Sequence, residues 1–267
     1  MGTVPVTDGR HLGRRISRHD PRTRRFASYL DVGNLPGIPS ARDWTHPTHA
    51  PKWGMFANSD IGDCTCAAIG HLFQAQAANT GKSITITDRD VLRLYSRPDV
   101  GGYDPTRPET DNGAEMLDVL RAMRRDGMAG QRIGAYVAVD ALSRTHVEAA
   151  ISLLGGLYVG LDLPLAWRDA TTWDVAPVRG YTSDYKPNSW GGHAATVLHY
   201  DRLGLWLVTW GELKFITWEA LRTYASEAWA IVNSLWIDDT SMLAPSGFAL
   251  ADLMLDLVEI DRGAGQA

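Results

Sequence analysis

The chain has 267 residues, 45% hydrophobic and 21% charged, enough for a sizeable core in one large domain or in two lobes sharing a cleft. Its net charge of −5 argues against nucleic acid as a partner, and no run approaches the roughly 18 apolar residues that a membrane span needs. Cys64 and Cys66 are the only cysteines, so a disulfide framework is excluded, and two thiols are too few for a structural zinc site. Free thiols in a cytoplasmic setting are expected, because the start of the chain has no apolar stretch of the signal-peptide kind. No cofactor and no metal is expected.

Residues 1–34 form a basic arm, with Arg10, Arg14, Arg15, Arg18, Arg22, Arg24 and Arg25 crowded together. It lacks periodicity and reads as a solvated, loosely tethered segment that could hold an assembly partner. The spacing of Ala68, Leu72 and Ala75 predicts a helix from Thr65 to about residue 78, stopped at Asn79-Thr80-Gly81. Ile84-Thr85-Ile86 reads as a short strand, followed by a helix from Arg89 to Tyr95. Residues 96–113, rich in Pro, Gly and Asp, should form a long loop. Amphipathic helices are predicted over residues 114–126 and 144–154, the first stopped by Gly127 and the second by Gly155-Gly156. Strands are predicted at residues 157–163, 194–200, 205–210 and 230–237, with Asp201 to Gly204 turning a hairpin. A helix capped by Thr217 reaches Tyr224, and a last amphipathic helix covers residues 247–258. Helices gather in the first half and antiparallel strands in the second, an α+β pattern with two lobes.

The chemistry concentrates at two places. In Asn58-Ser-Asp-Ile-Gly-Asp-Cys64, a polar turn delivers a cysteine to a helix N-terminus, where free N–H groups and the helix dipole favour a thiolate. In Trp190-Gly191-Gly192-His193-Ala194, a histidine enters an apolar strand. His199 is too close to the hairpin turn to compete with it. His71, about two helical turns from Cys64, reads as a packing residue, and Cys66 as core.

This order resembles that of papain-like cysteine peptidases, over about residues 35–240. Pro39-x-x-x-Asp43-Trp44 resembles the start of the mature family domain, and Gly62-Asp63-Cys64 its turn into the central helix. Asp111-Asn112-Gly113 resembles the segment lining the substrate cleft, and Gly191-Gly192-His193-Ala194, followed by a hairpin and Trp210-Gly211, the histidine strand. The resemblance implies a helical lobe over about residues 55–155, a β lobe over 156–240, and a helix and tail over 241–267. It also implies Cys64 as nucleophile, His193 as general base and acid, and Asn58 as an oxyanion donor standing where the family has glutamine. The substrate cleft would include Asp111, Asn112, Gly113, Trp190 and Gly192.

The family's asparagine after the histidine strand has no counterpart in Leu205–Glu212. If Tyr200 pairs with Leu205, His193 faces Glu212, which makes Glu212 the expected orienter of the imidazole unless a β-bulge intervenes. Thr209 would then pair with Thr196 on the other face; it and Asp162 are the alternatives. The expected function is a thiol hydrolase of bacterial or viral type that cleaves a peptide or isopeptide bond in a peptide or protein substrate through an acyl-enzyme. The alternative is an inactive fold serving in a larger assembly, such as a virion.

Overall fold

The computed structural model describes residues 9–18, 20–28, 37–45, 52–176, 183–239, 241 and 243–247. The predicted helix over residues 247–258 lies outside the described residues, apart from its first. After the short strand β1 (Arg42–Asp43), the central helix α1 (Cys64–Asn79) is buried on nearly every side. Such burial requires its polar groups to find partners. Gln76 donates to Leu154 O at 2.8 Å and accepts from Asn233 at 2.6 Å, and His71 Nε2 bonds Gly54 O at 2.8 Å.

Helix α2 (Asp88–Tyr95) starts in a capping box between Thr87 and Asp90. The strand expected at Ile84-Thr85-Ile86 does not form. Among the described residues no strand offers them a ladder, and Ile86 is buried instead beside Gly70 of α1. Helix α3 (Met116–Arg125) gives way at Gly127, whose φ is +78°.

Strand β2 (Ala135–Ala138), which no sequence pattern announced, precedes α4 (Arg144–Leu154), β3 (Leu157–Leu163) and the two-residue β4 (Thr172–Trp173). Then come β5 (Gly191–Tyr200), β6 (Gly204–Thr209), β7 (Glu212–Thr217), α5 (Trp218–Tyr224) and β8 (Ala225–Val232). The last strand begins five residues before its expected start and ends at Val232, where Asn233 caps a 3-10 turn over Ser234–Trp236.

The sheet runs β2-β8-β3-β5-β6-β7-β4, with β1 also on β5, and only the β4–β7 pair is parallel. Two local features fix the register near His193. The hairpin pairs Tyr200 with Leu205 as expected, but a bulge at Leu198 shifts the pairing, so Thr196 faces Val208. Beyond Thr209, Trp210 (φ 47°) and Gly211 (φ +74°) form a two-residue turn with both φ values positive, the geometry of a tight hairpin. The strand therefore ends at Thr209 and Glu212 opens the next one.

Candidate active site

Cys64 is the first residue of α1, and the turn that delivers it is pinned from outside the cleft. Asp111 accepts the Gly62 N–H at 3.0 Å and the Tyr95 hydroxyl at 2.5 Å, while Tyr95 accepts the Gly113 N–H at 2.8 Å. Asp63, just before the thiol, is buried with neither oxygen hydrogen-bonded among the described residues, and burial together with nearby Asp111 holds its carboxyl well above the usual range. The sulfur lies near the backbone N–H groups of Ala194 on β5 and of Gly13, which act to lower its pKa. Burial outweighs both and pushes the thiol up to about 12, so it is un-ionised here.

His193 sits on β5 with its ring 4.1 Å from that of Trp210 and 21° from parallel. Its Nε2 lies 2.5 Å from Thr209 Oγ1, and its buried Nδ1 has no partner among the described residues. With the proton on Nε2, donated to Thr209, the bare lone pair is on Nδ1, the tautomer that can accept a proton. Burial first, then the charge of Arg14, depresses this imidazole to about 3.

Glu212 does not orient His193. The bulge and the Trp210-Gly211 turn carry it to the exposed start of β7, paired with Thr209. Thr209 takes the position because the shifted register sets it opposite Ala195, diagonal to His193 on the same face. A polar residue at the end of an apolar strand, just before Trp-Gly, was the available signal. Asp162 lies beside Gly192 rather than the imidazole.

The expectation of a loose arm is also corrected. Residues 11–15 lie in the cleft and bind both of its walls. Ala114 N–H donates to Gly13 O at 2.8 Å, Arg15 N–H to Ala114 O at 3.0 Å, and Arg14 N–H to Gly192 O at 3.1 Å. Only glycine fits at 13, because a Cβ there would come within 1.7 Å of Gly62 O. The buried Asn58 side chain donates to His11 O at 3.1 Å and to Ile61 O at 2.9 Å, and Trp210 Nε1 also donates to His11 O at 3.3 Å. The Arg14 side chain is buried against Asp162 and Glu227.

Of the expected cleft residues, Gly192 and Gly113 lie against the arm backbone, and the Asn112 carbonyl accepts Arg15 Nε at 3.0 Å. Trp190 is half-buried with its ring 5.5 Å from that of Trp210. Asp111 braces the cleft from behind. Among the described residues no group of three His, Cys, Asp or Glu is placed to hold a metal ion, and no helix is long and apolar enough to cross a membrane.

This cleft between a cysteine-bearing helix and a histidine strand defines a papain-like fold, and solved structures carry the same architecture. Xylellain, a cysteine protease from Xylella fastidiosa, superposes with a TM-score of 0.62 at 16% identity over 86% of this chain and 99% of its own. Procathepsin B S9 from Trypanosoma congolense gives 0.57 at 12% identity over 85% and 87%. The cysteine protease and lectin-like domains of Cwp84, a surface-layer-associated protein of Clostridium difficile, give 0.57 at 10% identity over 85% and 57%. No family model and no curated protein matches the chain by sequence.

Proposed function

We propose that this chain is a papain-like thiol hydrolase, acting on peptide or isopeptide bonds, whose cleft is filled by its own arm. The observation that carries this reading is the imidazole of His193, with one nitrogen bonded to Thr209 and the other bare, on the strand whose Ala194 N–H lies near the Cys64 sulfur. In the working cycle His193 Nδ1 takes the Cys64 proton, and the thiolate attacks the carbonyl carbon of the substrate. The resulting oxyanion is held by the Cys64 N–H and the Asn58 amide. Collapse of this intermediate breaks the scissile bond. The leaving amine takes the proton from His193, and water then releases the acyl group. The His11 carbonyl already accepts the Asn58 amide, which supports the assignment of that donor.

The arm disfavours the protonated imidazole through the charge of Arg14. Burial is the largest cause of the raised thiol pKa, and the Gly13 N–H and the Arg14 charge partly offset it. The filled cleft also suits the second reading, an inactive scaffold within an assembly. Alkylation of Cys64 by iodoacetamide against pH separates the two, using Arg14→Ala to loosen the arm. A hydrolase gives labelling well below the usual thiol value of about 8.5, slowed on adding His193→Ala. An ordinary thiol profile indifferent to His193 would leave the scaffold.

A further inference from the structure

The side chain of Arg14 occupies a built pocket beside the thiol. This side chain is 2% exposed, and its guanidinium spans two carboxylates, Nη2 on Asp162 and Nη1 on Glu227 Oε1 at 3.2 Å. Nη2 also approaches the Leu161 carbonyl at 3.5 Å. The aliphatic stem passes over Gly160, where a Cβ would come within 2.8 Å of Arg14 Cδ, Glu227 Cγ and Met116 Sδ alike. The pocket is also shaped in the backbone. Between Gly160 and Leu161 the β3–β8 register shifts, so that Glu227 faces Gly160 while Ala225 faces Leu161. Trp229 Nε1 fixes the second oxygen of Glu227 at 2.9 Å. The two acids thus come from different strands and converge on a slot deep enough for a long cation, one residue along from Gly13 at the sulfur.

We infer that this pocket is a substrate subsite for an arginine side chain, and that Arg14 holds the place of a substrate arginine. The inference rests on the hydrolase reading and gives it a substrate class: peptides with arginine immediately before the residue at the thiol, running opposite to the arm, in which Arg14 follows Gly13 and pairs parallel to Ala114. A planar fork can engage both carboxylates at once, whereas a lysine ammonium is a point charge with no fork to match them. Apolar side chains would leave Glu227 buried and unpaired.

The test uses the full chain with Arg14→Ala and, because that change could disturb folding, Arg14→Lys in parallel. Each is treated with dipeptidyl fluoromethyl ketones X-Gly, where X is arginine, citrulline, lysine or leucine. Labelling of Cys64 is followed by intact mass, with iodoacetamide as a small control. The arginine probe should label at least about tenfold faster than citrulline or leucine, with lysine between, and adding Glu227→Gln should erase most of that margin. The ranking should hold in both backgrounds. If leucine labels as fast as arginine while Cys64 is reactive, the subsite falls and the hydrolase stands. If neither the ketones nor iodoacetamide gives a His193-dependent reaction at Cys64, the hydrolase falls and the subsite with it.

Discussion

At the scale of single residues, the site turns on how few groups orient the imidazole. Thr209 offers His193 one hydroxyl, and Trp210 covers its ring. A single hydrogen bond to a group that becomes charged contributes about 1.5–3 kcal/mol, equivalent to roughly 10- to 150-fold in rate. Thr209→Val should therefore slow the His193-dependent alkylation of Cys64 in the Arg14→Ala background by about that factor. Thr209→Ser should restore most of the rate, and Glu212→Gln should leave it unchanged. Equal losses from Thr209→Val and Glu212→Gln would contradict the assignment.

At the scale of elements, the arm and the cleft are matched backbone to backbone. The bond pattern joins Arg14 to Ala114 and, farther along, Arg25 to Ala138 of β2, the outer strand of the sheet, so the arm also covers an edge. Gly13→Ala would set a methyl group against Gly62 O. Overpacking of that kind costs about 1–3 kcal/mol, which shifts release of the arm by about 5- to 150-fold. The expected result is faster alkylation of Cys64 with little change in melting temperature; unchanged alkylation would mean that residues 11–15 do not guard the thiol. The sequence made α1, α3, α4, β3 and the β5–β6 hairpin legible because each carries its own period or turn signal. It hid what depends on partners. Glu212 was misplaced by one bulged residue and an unrecognised Trp-Gly turn, neither of which leaves a mark in hydrophobic alternation. Arg14 and Gly13 lay in a stretch whose charge suggested solvent, and only the fold brings Asp162 and Glu227 to meet them. Ile84-Thr85-Ile86 had strand composition but no strand to pair with.

At the scale of the whole molecule, several buried ionisable groups are held neutral, and this sets a pH dependence of stability. Burial depresses His193 to about 3 and His71 to about 4, while the same imidazoles in an unfolded chain protonate near 6.5. Between those values the unfolded state binds more protons, so stability is full above about 6.5 and is lost as pH falls. Asp63 acts in the opposite sense. Its raised folded value favours the fold at low pH, a contribution lost as pH rises above the usual carboxyl value of 3.8. Glu227, whose carboxyl burial also raises, acts in the same sense as Asp63. The two imidazoles make urea midpoints fall between pH 7 and pH 5, the two carboxyls oppose that fall, and Asp63→Asn should steepen it. Imidazole nitrogen spectra should show His71 and His193 still neutral at pH 5. Titration of either above pH 6 would contradict the burial that depresses them.

The occupant of the cleft and the cleft itself belong to one chain, and that has a kinetic consequence. Dilution does not lower the occupant's local concentration, which for a short link is on the order of millimolar. A peptide arriving from solution at micromolar concentration competes against a tethered rival roughly a thousand times more abundant at the site. Throughput in the full chain would then be governed by how often each molecule lets go of its own first residues, a frequency independent of how much of the protein is present.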